Sequence, residues 1–137
     1  MFVPSILLKQ LYTRASLSKT STGLSFSLKN RLKNATIEKL HWVSLDGEKI
    51  PEDKISLQLT HDTFLPAAEL NQSDGKPFAL RQTITLHLDI EKDACPEKRK
   101  LGICFSASPF GKLKFEVEDN ITLAGQRSAH IPRDDLD

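Results

Sequence analysis

A chain of 137 residues, 39% apolar and 27% charged, is sized for one domain with a real core and is too hydrophobic for an intrinsically disordered chain. Nineteen Lys and Arg against eighteen Asp and Glu leave a formal charge of +1, so there is no cationic surplus for binding phosphate backbones, and nucleic acid is not an expected partner. No apolar run approaches the ~20 residues that cross a bilayer, so no membrane association is expected.

The opening MFVPSILLKQ has only Ile6, Leu7 and Leu8 in an unbroken apolar run, with Pro4 before them and no basic residue ahead. It is expected to be an arm, residues 1–10, that tucks against an edge or docks on a partner, and not a signal peptide. LYTRASLS then puts Leu11, Thr13, Ala15 and Leu17 in phase, and LSFSLKN puts Leu24, Phe26 and Leu28 on one face. SKTSTG between them ends in a glycine suited to positive φ, so the two segments are expected to form a first hairpin.

TIEKLHWVSLDGEKIP carries the strongest turn, Asp46-Gly47, because both residue types tolerate left-handed dihedrals. Pro51 stops the return segment. Within this strand the alternation conflicts. Counted back from Leu45 and Val43, His41 points inward; counted from Leu40, Trp42 does. A bulge between the two phases is expected, with Trp42 in the core. KISLQLT resumes alternation with Ile55, Leu57 and Leu59.

Residues 66–79, PAAELNQSDGKPFA, break the pattern: Ala67 to Leu70 fit one helical turn and the rest is a loop, either a contact surface or a connection. TITLHLDI, residues 83–90, is the clearest period-two segment. Ile84, Leu86, Leu88 and Ile90 face inward and Thr83, Thr85, His87 and Asp89 outward, as expected of a central strand. A charged turn, EKDACPEKRK, leads to KLGICFSAS, with Leu101, Ile103, Phe105 and Ala107 inward. Pro109 to Gly111 turn the chain into KLKFEVED, with Leu113, Phe115 and Val117 inward. Ile121 to Ala124 can pair once more, and GQRSAHIPRDDLD has no period and is expected to be loose.

About seven to nine short strands with frequent turns and no convincing helix predict an all-β fold, an antiparallel immunoglobulin-like β-sandwich. Its body is assigned to residues 11–124, with a loose tail over 125–137.

Reactive constellations are scarce. His41, His61, His87 and His130 lie on separate segments without metal-ligand spacing, and no nucleophile, phosphate-loop or dinucleotide motif is present. The acidic pairs Glu116/Glu118 and Asp134/Asp135, and Asp119-Asn120, lack companions for acid/base or calcium chemistry. The basic clusters Lys29–Lys33 and Lys98–Lys100 are expected to be solvated turns. Cys95 and Cys104 without a CxxC motif point to a reduced, cytoplasmic protein, a hairpin disulfide being the alternative. No catalytic, cofactor-binding or metal-binding residue is therefore assigned to this chain. The Thr85-His87-Asp89 column and His41 are what a small enzyme would have to use.

The stretches LYTRASLSKTSTGLSFSLKNRLKNATI, VSLDGEKIPEDKISLQL and ASPFGKLKFEVEDNI, with the landmarks SLKNRL, LDGE and PFG in that order, resemble the small β subunits of bacterial C-glycoside deglycosidases over Leu11 to Ile121. The resemblance implies a noncatalytic accessory subunit in a hetero-oligomer. Its larger barrel-type partner would hold a divalent metal and open the carbon–carbon bond of a glycoside. Contact is then expected from Phe2, Val3, Ile6, Leu7, Phe64, Phe78, Pro109 and Phe110. The alternative is a stand-alone carbohydrate- or ligand-binding module, with Tyr12 and Trp42 as stacking surfaces. Small chains of this look also carry a hydroxymethylglutaryl-CoA reductase label. Lacking a dinucleotide fingerprint and being short, this chain is not expected to be that enzyme.

Overall fold

Alternation decides which side of each strand meets the core. Leu24, Phe26 and Leu28 are almost wholly buried, while Ser25, Ser27 and Lys29 between them are only partly covered. The computed structural model describes residues 4–20, 23–90 and 98–121. In chain order these form α1 (Ser5–Leu8), a 3-10 turn (Lys9–Leu11), β1 (Ser18–Lys19), β2 (Leu24–Lys29), β3 (Ala35–Leu45) and β4 (Glu48–Lys49). A second 3-10 turn (Glu52–Lys54) is followed by β5 (Ile55–Thr60), β6 (Thr63–Pro66), α2 (Ala67–Asn71), β7 (Lys76–Phe78), β8 (Thr83–Leu88), β9 (Lys98–Ser108) and β10 (Gly111–Asn120).

The strands make two antiparallel sheets, an all-β sandwich. The first has the order β1-β2-β8-β5-β6 and the second β10-β9-β3-β4, with β7 pairing the other half of β3. TITLHLDI lies at the centre of the first sheet: Leu86 is opposite Phe26 on one side and Leu57 on the other. From the second sheet Ile37, Leu40, Val43, Leu45, Leu101, Ile103, Phe105, Leu113 and Phe115 face these residues in one cluster. Among the described residues ten strands form, more than the seven to nine expected, because β6 and β7 lie where sequence shows no period. They are short edge strands held by their neighbours, not by their own faces.

The Asp46-Gly47 turn adopts left-handed dihedrals at both positions, φ 54° and 86°. Asp46 also anchors the next layer. Its N–H donates to the Lys100 carbonyl at 2.7 Å, its carboxylate accepts the Lys100 N–H at 3.0 Å, and Arg99 pairs with it at 2.9 Å. Asn30 is the second knot, 1% exposed and fully used. Its Nδ2 donates to the carbonyls of Lys33 and Phe78, and its Oδ1 accepts from the Leu32 N–H. Its backbone exchanges bonds with Gln82 and Arg81. One side chain thus closes the loop after β2 onto the loop after β7.

The first hairpin is shorter than its alternation suggests. Of LYTRASLS only its last residue, Ser18, is strand, continued by Lys19, because Ala15 turns through φ 66° and leaves the ladder. The segment from α1 to Leu17 instead straps the open side of the sandwich. Leu8, Leu11, Tyr12 and Leu17 point into the core, Tyr12 bridges to Leu28, and the Thr13 N–H donates to the Ser27 carbonyl at 3.0 Å.

Candidate functional site

Where the strap meets the ends of β9 and β10 it leaves a cleft of about 600 Å³. The strand register supplies its charges. Lys100 stands across from Glu118, Lys98 across from Asn120, and Glu116 across from Gly102, while Lys9 and Arg14 reach in from the strap. At its inner wall the Tyr12 hydroxyl donates to the Asp119 carboxylate, which also accepts the Ala15 N–H at 2.9 Å. Burial, and then the hydrogen bond to Asp119, push the Tyr12 phenol far above its ordinary value. It stays protonated and serves as a latch, not a base. Cations and carboxylates nearly balance here, so the cleft has no strong preference for either sign.

On the outer face of the first sheet, β5, β8 and β6 bring Gln58, His87 and Phe64 together. Nε2–H of His87 donates to Gln58 Oε1 at 2.9 Å, and the Phe64 ring lies 5.6 Å from the imidazole at 50°. Burial lowers the His87 pKa, which favours the neutral ring. Thr85 turns to Ser27 at 3.0 Å, and Asp89 lies past the end of β8 with its N–H on the Lys54 carbonyl. The Thr-His-Asp column therefore does not converge on the imidazole. That Gln58 and Phe64 converge on it was not legible in sequence, where Phe64 was expected only as a partner contact, because they come from neighbouring strands whose register no local period states.

The phase conflict at His41-Trp42 is resolved by two irregularities in β3, between Ile37 and Lys39 and between Leu40 and Trp42. Each inserts a residue, so His41 and Trp42 both face outward. His41 lies 2.7 Å from Ser106 Oγ. Trp42 is half-buried on the outer face and not in the core as its size suggested, with Lys49 Nζ 5.1 Å from the ring centre. Gly102 makes room for it: a Cβ there would stand 3.2 Å from Trp42 Cζ3 and 2.6 Å from Ser44 Oγ. Cys104, opposite Trp42, is a buried free thiol. Burial raises its pKa against the pull of Lys112, Lys114 and Lys49.

Of the residues expected at a partner surface, Ile6, Leu7 and Phe64 are exposed, at 71%, 37% and 55%, and Pro109 is exposed at its turn. Phe78 and Phe110 are buried core side chains, and a side chain so placed offers nothing to a partner without rearrangement. Phe2, Val3, Cys95 and His130 lie outside the described residues, as do the tail and most of the Ile121 to Ala124 segment. Tyr12 points from the strap into the core and is buried, so it and Trp42 share no exposed aromatic platform. Among the described residues no group of three or more His, Cys, Asp or Glu is placed to hold a metal ion. No helix among them is long and apolar enough to cross a membrane.

One family's sequence model matches residues 7–122, and its description is hydroxymethylglutaryl-CoA reductase, N-terminal domain. No curated protein matches the chain. The family match overturns the likeness to C-glycoside deglycosidase β subunits. With it go the accessory role on a glycoside-cleaving enzyme, the carbohydrate-binding alternative and the link to carbohydrate metabolism. It also corrects the rejection of the reductase label. The missing dinucleotide motif and short length speak to a complete enzyme and not to an N-terminal domain. The landmarks misled for a physical reason. SLKNRL is the end of β2 with the Asn30 knot, LDGE is the β3–β4 turn and PFG is the β9–β10 turn. All three are turn and knot chemistry that a sandwich needs whatever it does.

Proposed function

This chain belongs to the family described as hydroxymethylglutaryl-CoA reductase, N-terminal domain, and on that premise we propose that it is a docking domain for the catalytic part of such a reductase. The observation that carries the reading is the extent of the match: residues 7–122 take in both sheets and nearly all of the strap, so the sandwich itself is the family's unit. In this reading the chain contributes a surface, while the reacting groups and any cofactor belong to the larger partner. The exposed side chains of α1, Ile6 and Leu7, together with Phe64, supply apolar anchors of the kind interfaces use. The buried, reduced thiol of Cys104 supports a cytoplasmic setting.

The test mixes the purified full chain with the catalytic portion of a hydroxymethylglutaryl-CoA reductase from the same organism. Size-exclusion chromatography and steady-state reduction of hydroxymethylglutaryl-CoA by a nicotinamide cofactor are the readouts. Co-elution is expected, weakened at least about tenfold by Ile6→Asp with Leu7→Asp, and no turnover is expected from the chain alone. Turnover by the chain alone, or separate elution at every concentration, would sink the proposal.

A further inference from the structure

Three of the four sheet edges are blunted. β1 is two residues long. β6 is four residues long, irregular opposite Gln58 to Thr60, and ends in Pro66. The outer side of β3 is shared among β4, β7 and the Asn71 side chain. β10 is different. Its ten residues pair with β9 in unbroken register from Gly111 opposite Ala107 to Asn120 opposite Lys98. Among the described residues no strand lies on its far side; α1 and the 3-10 turn at Lys9–Leu11 pack beside part of it, and the strap's hydrogen bonds go to the Asp119 side chain, not to its backbone. The cleft beside Glu116 to Asn120 leaves space along that edge. A straight edge of this length offers alternate N–H and C=O groups to another strand.

The charge pattern on β10 selects the partner. Lys112, Lys114, Glu116 and Glu118 are exposed on its outer face, and among the described residues none of the four makes an ion pair. Read backwards, the order of signs is inverted. Laid antiparallel on a second copy about a two-fold axis at Phe115, Lys112 faces Glu118 and Lys114 faces Glu116, and symmetry makes each contact twice. Sliding the strands by two residues sets Lys114 or Glu116 against its own copy. Only the centred register matches every charge. We propose that two copies of this chain pair antiparallel through β10, joining their second sheets into one continuous sheet.

The test is the oligomeric state of the full chain by size-exclusion chromatography with light scattering, across micromolar concentrations. The wild type is expected to be a dimer. Lys112→Glu with Lys114→Glu, and separately Glu116→Lys with Glu118→Lys, should each weaken it at least about tenfold. An equimolar mixture of the two should form a heterodimer, and the fourfold exchange should restore the homodimer by reversing every sign. Circular dichroism and melting temperature confirm that each variant folds. The proposal is overturned by a wild type that stays monomeric, by a dimer the double variants leave intact, or by a folded fourfold variant that stays monomeric. Co-elution of a monomeric wild type with the reductase, lost in the double variants, would overturn it too and give the edge to that partner. The docking surface on α1 is read by different variants, so either idea can fail alone.

Discussion

His87 shows how a single side chain acquires a property its sequence neighbours do not give it. Its partners are Gln58 and the Phe64 ring, and the burial they help create lowers its pKa. The unfolded chain therefore takes up a proton at the ordinary value of 6.5, while the folded chain resists it. Stability should fall as pH drops from about 6.5 towards the lowered folded value, with no further loss from this group below that. In His87→Gln this part of the acid-side slope should vanish. Denaturant midpoints of the variant and wild type, compared from neutral pH downward, check it, and parallel curves would contradict it. Tyr12 is the complementary case, a phenol whose burial and bond to Asp119 keep it protonated and make it a fastener.

At the scale of elements, the second sheet depends on a side chain standing in for a strand. β7 pairs with β3 at Ala35 to Ile37 and β4 at Ser44 and Leu45, which leaves the middle of that edge open. Asn71, the last residue of α2, fills the gap. Its Oδ1 accepts the Leu40 N–H at 2.7 Å and its Nδ2 donates to the Leu40 carbonyl at 3.1 Å and to Glu52 at 2.6 Å. Asn71→Ala should cost about 1 to 3 kcal/mol, because the buried Leu40 peptide loses both partners. Amide exchange at Leu40 should quicken more than at Val43. Asn71→Asp should recover little, since a carboxylate cannot donate to the carbonyl and faces Glu52. Equal exchange at Leu40 in wild type and Asn71→Ala would show that the clasp carries no weight.

Across the whole molecule the two sheets share one core, so neither is expected to melt alone. Leu57 belongs to the first sheet and Ile103 to the second, and both are at most 1% exposed within the same cluster. Leu57→Ala and Ile103→Ala should each cost about 2 to 5 kcal/mol. Each should shift the denaturant midpoint while leaving the slope unchanged, as a single cooperative unit requires. A second transition in either variant would mean that the sheets unfold separately.

The inward faces of β2, β5, β8, β9 and β10, the Asp46-Gly47 turn and the short α2 helix were legible in sequence, because period two and turn chemistry are local facts. Even the bulge at His41-Trp42 announced itself as a conflict of phase. Sequence by itself thus settled the inward faces of these strands and that two sheets must face each other, but it misplaced Trp42, Phe78 and Phe110. Tertiary structure alone decided what meets what. The Tyr12–Asp119 latch spans 107 residues, the Asn71 clasp 31 and the His87–Gln58 pair 29. Each depends on strand order and register, which hydrophobic alternation leaves undetermined, since many pairings bury the same faces. The proposed function was hidden for the same reason: the landmarks visible in the chain serve turns, and the proposed docking surface is assembled only after the strands have found their neighbours.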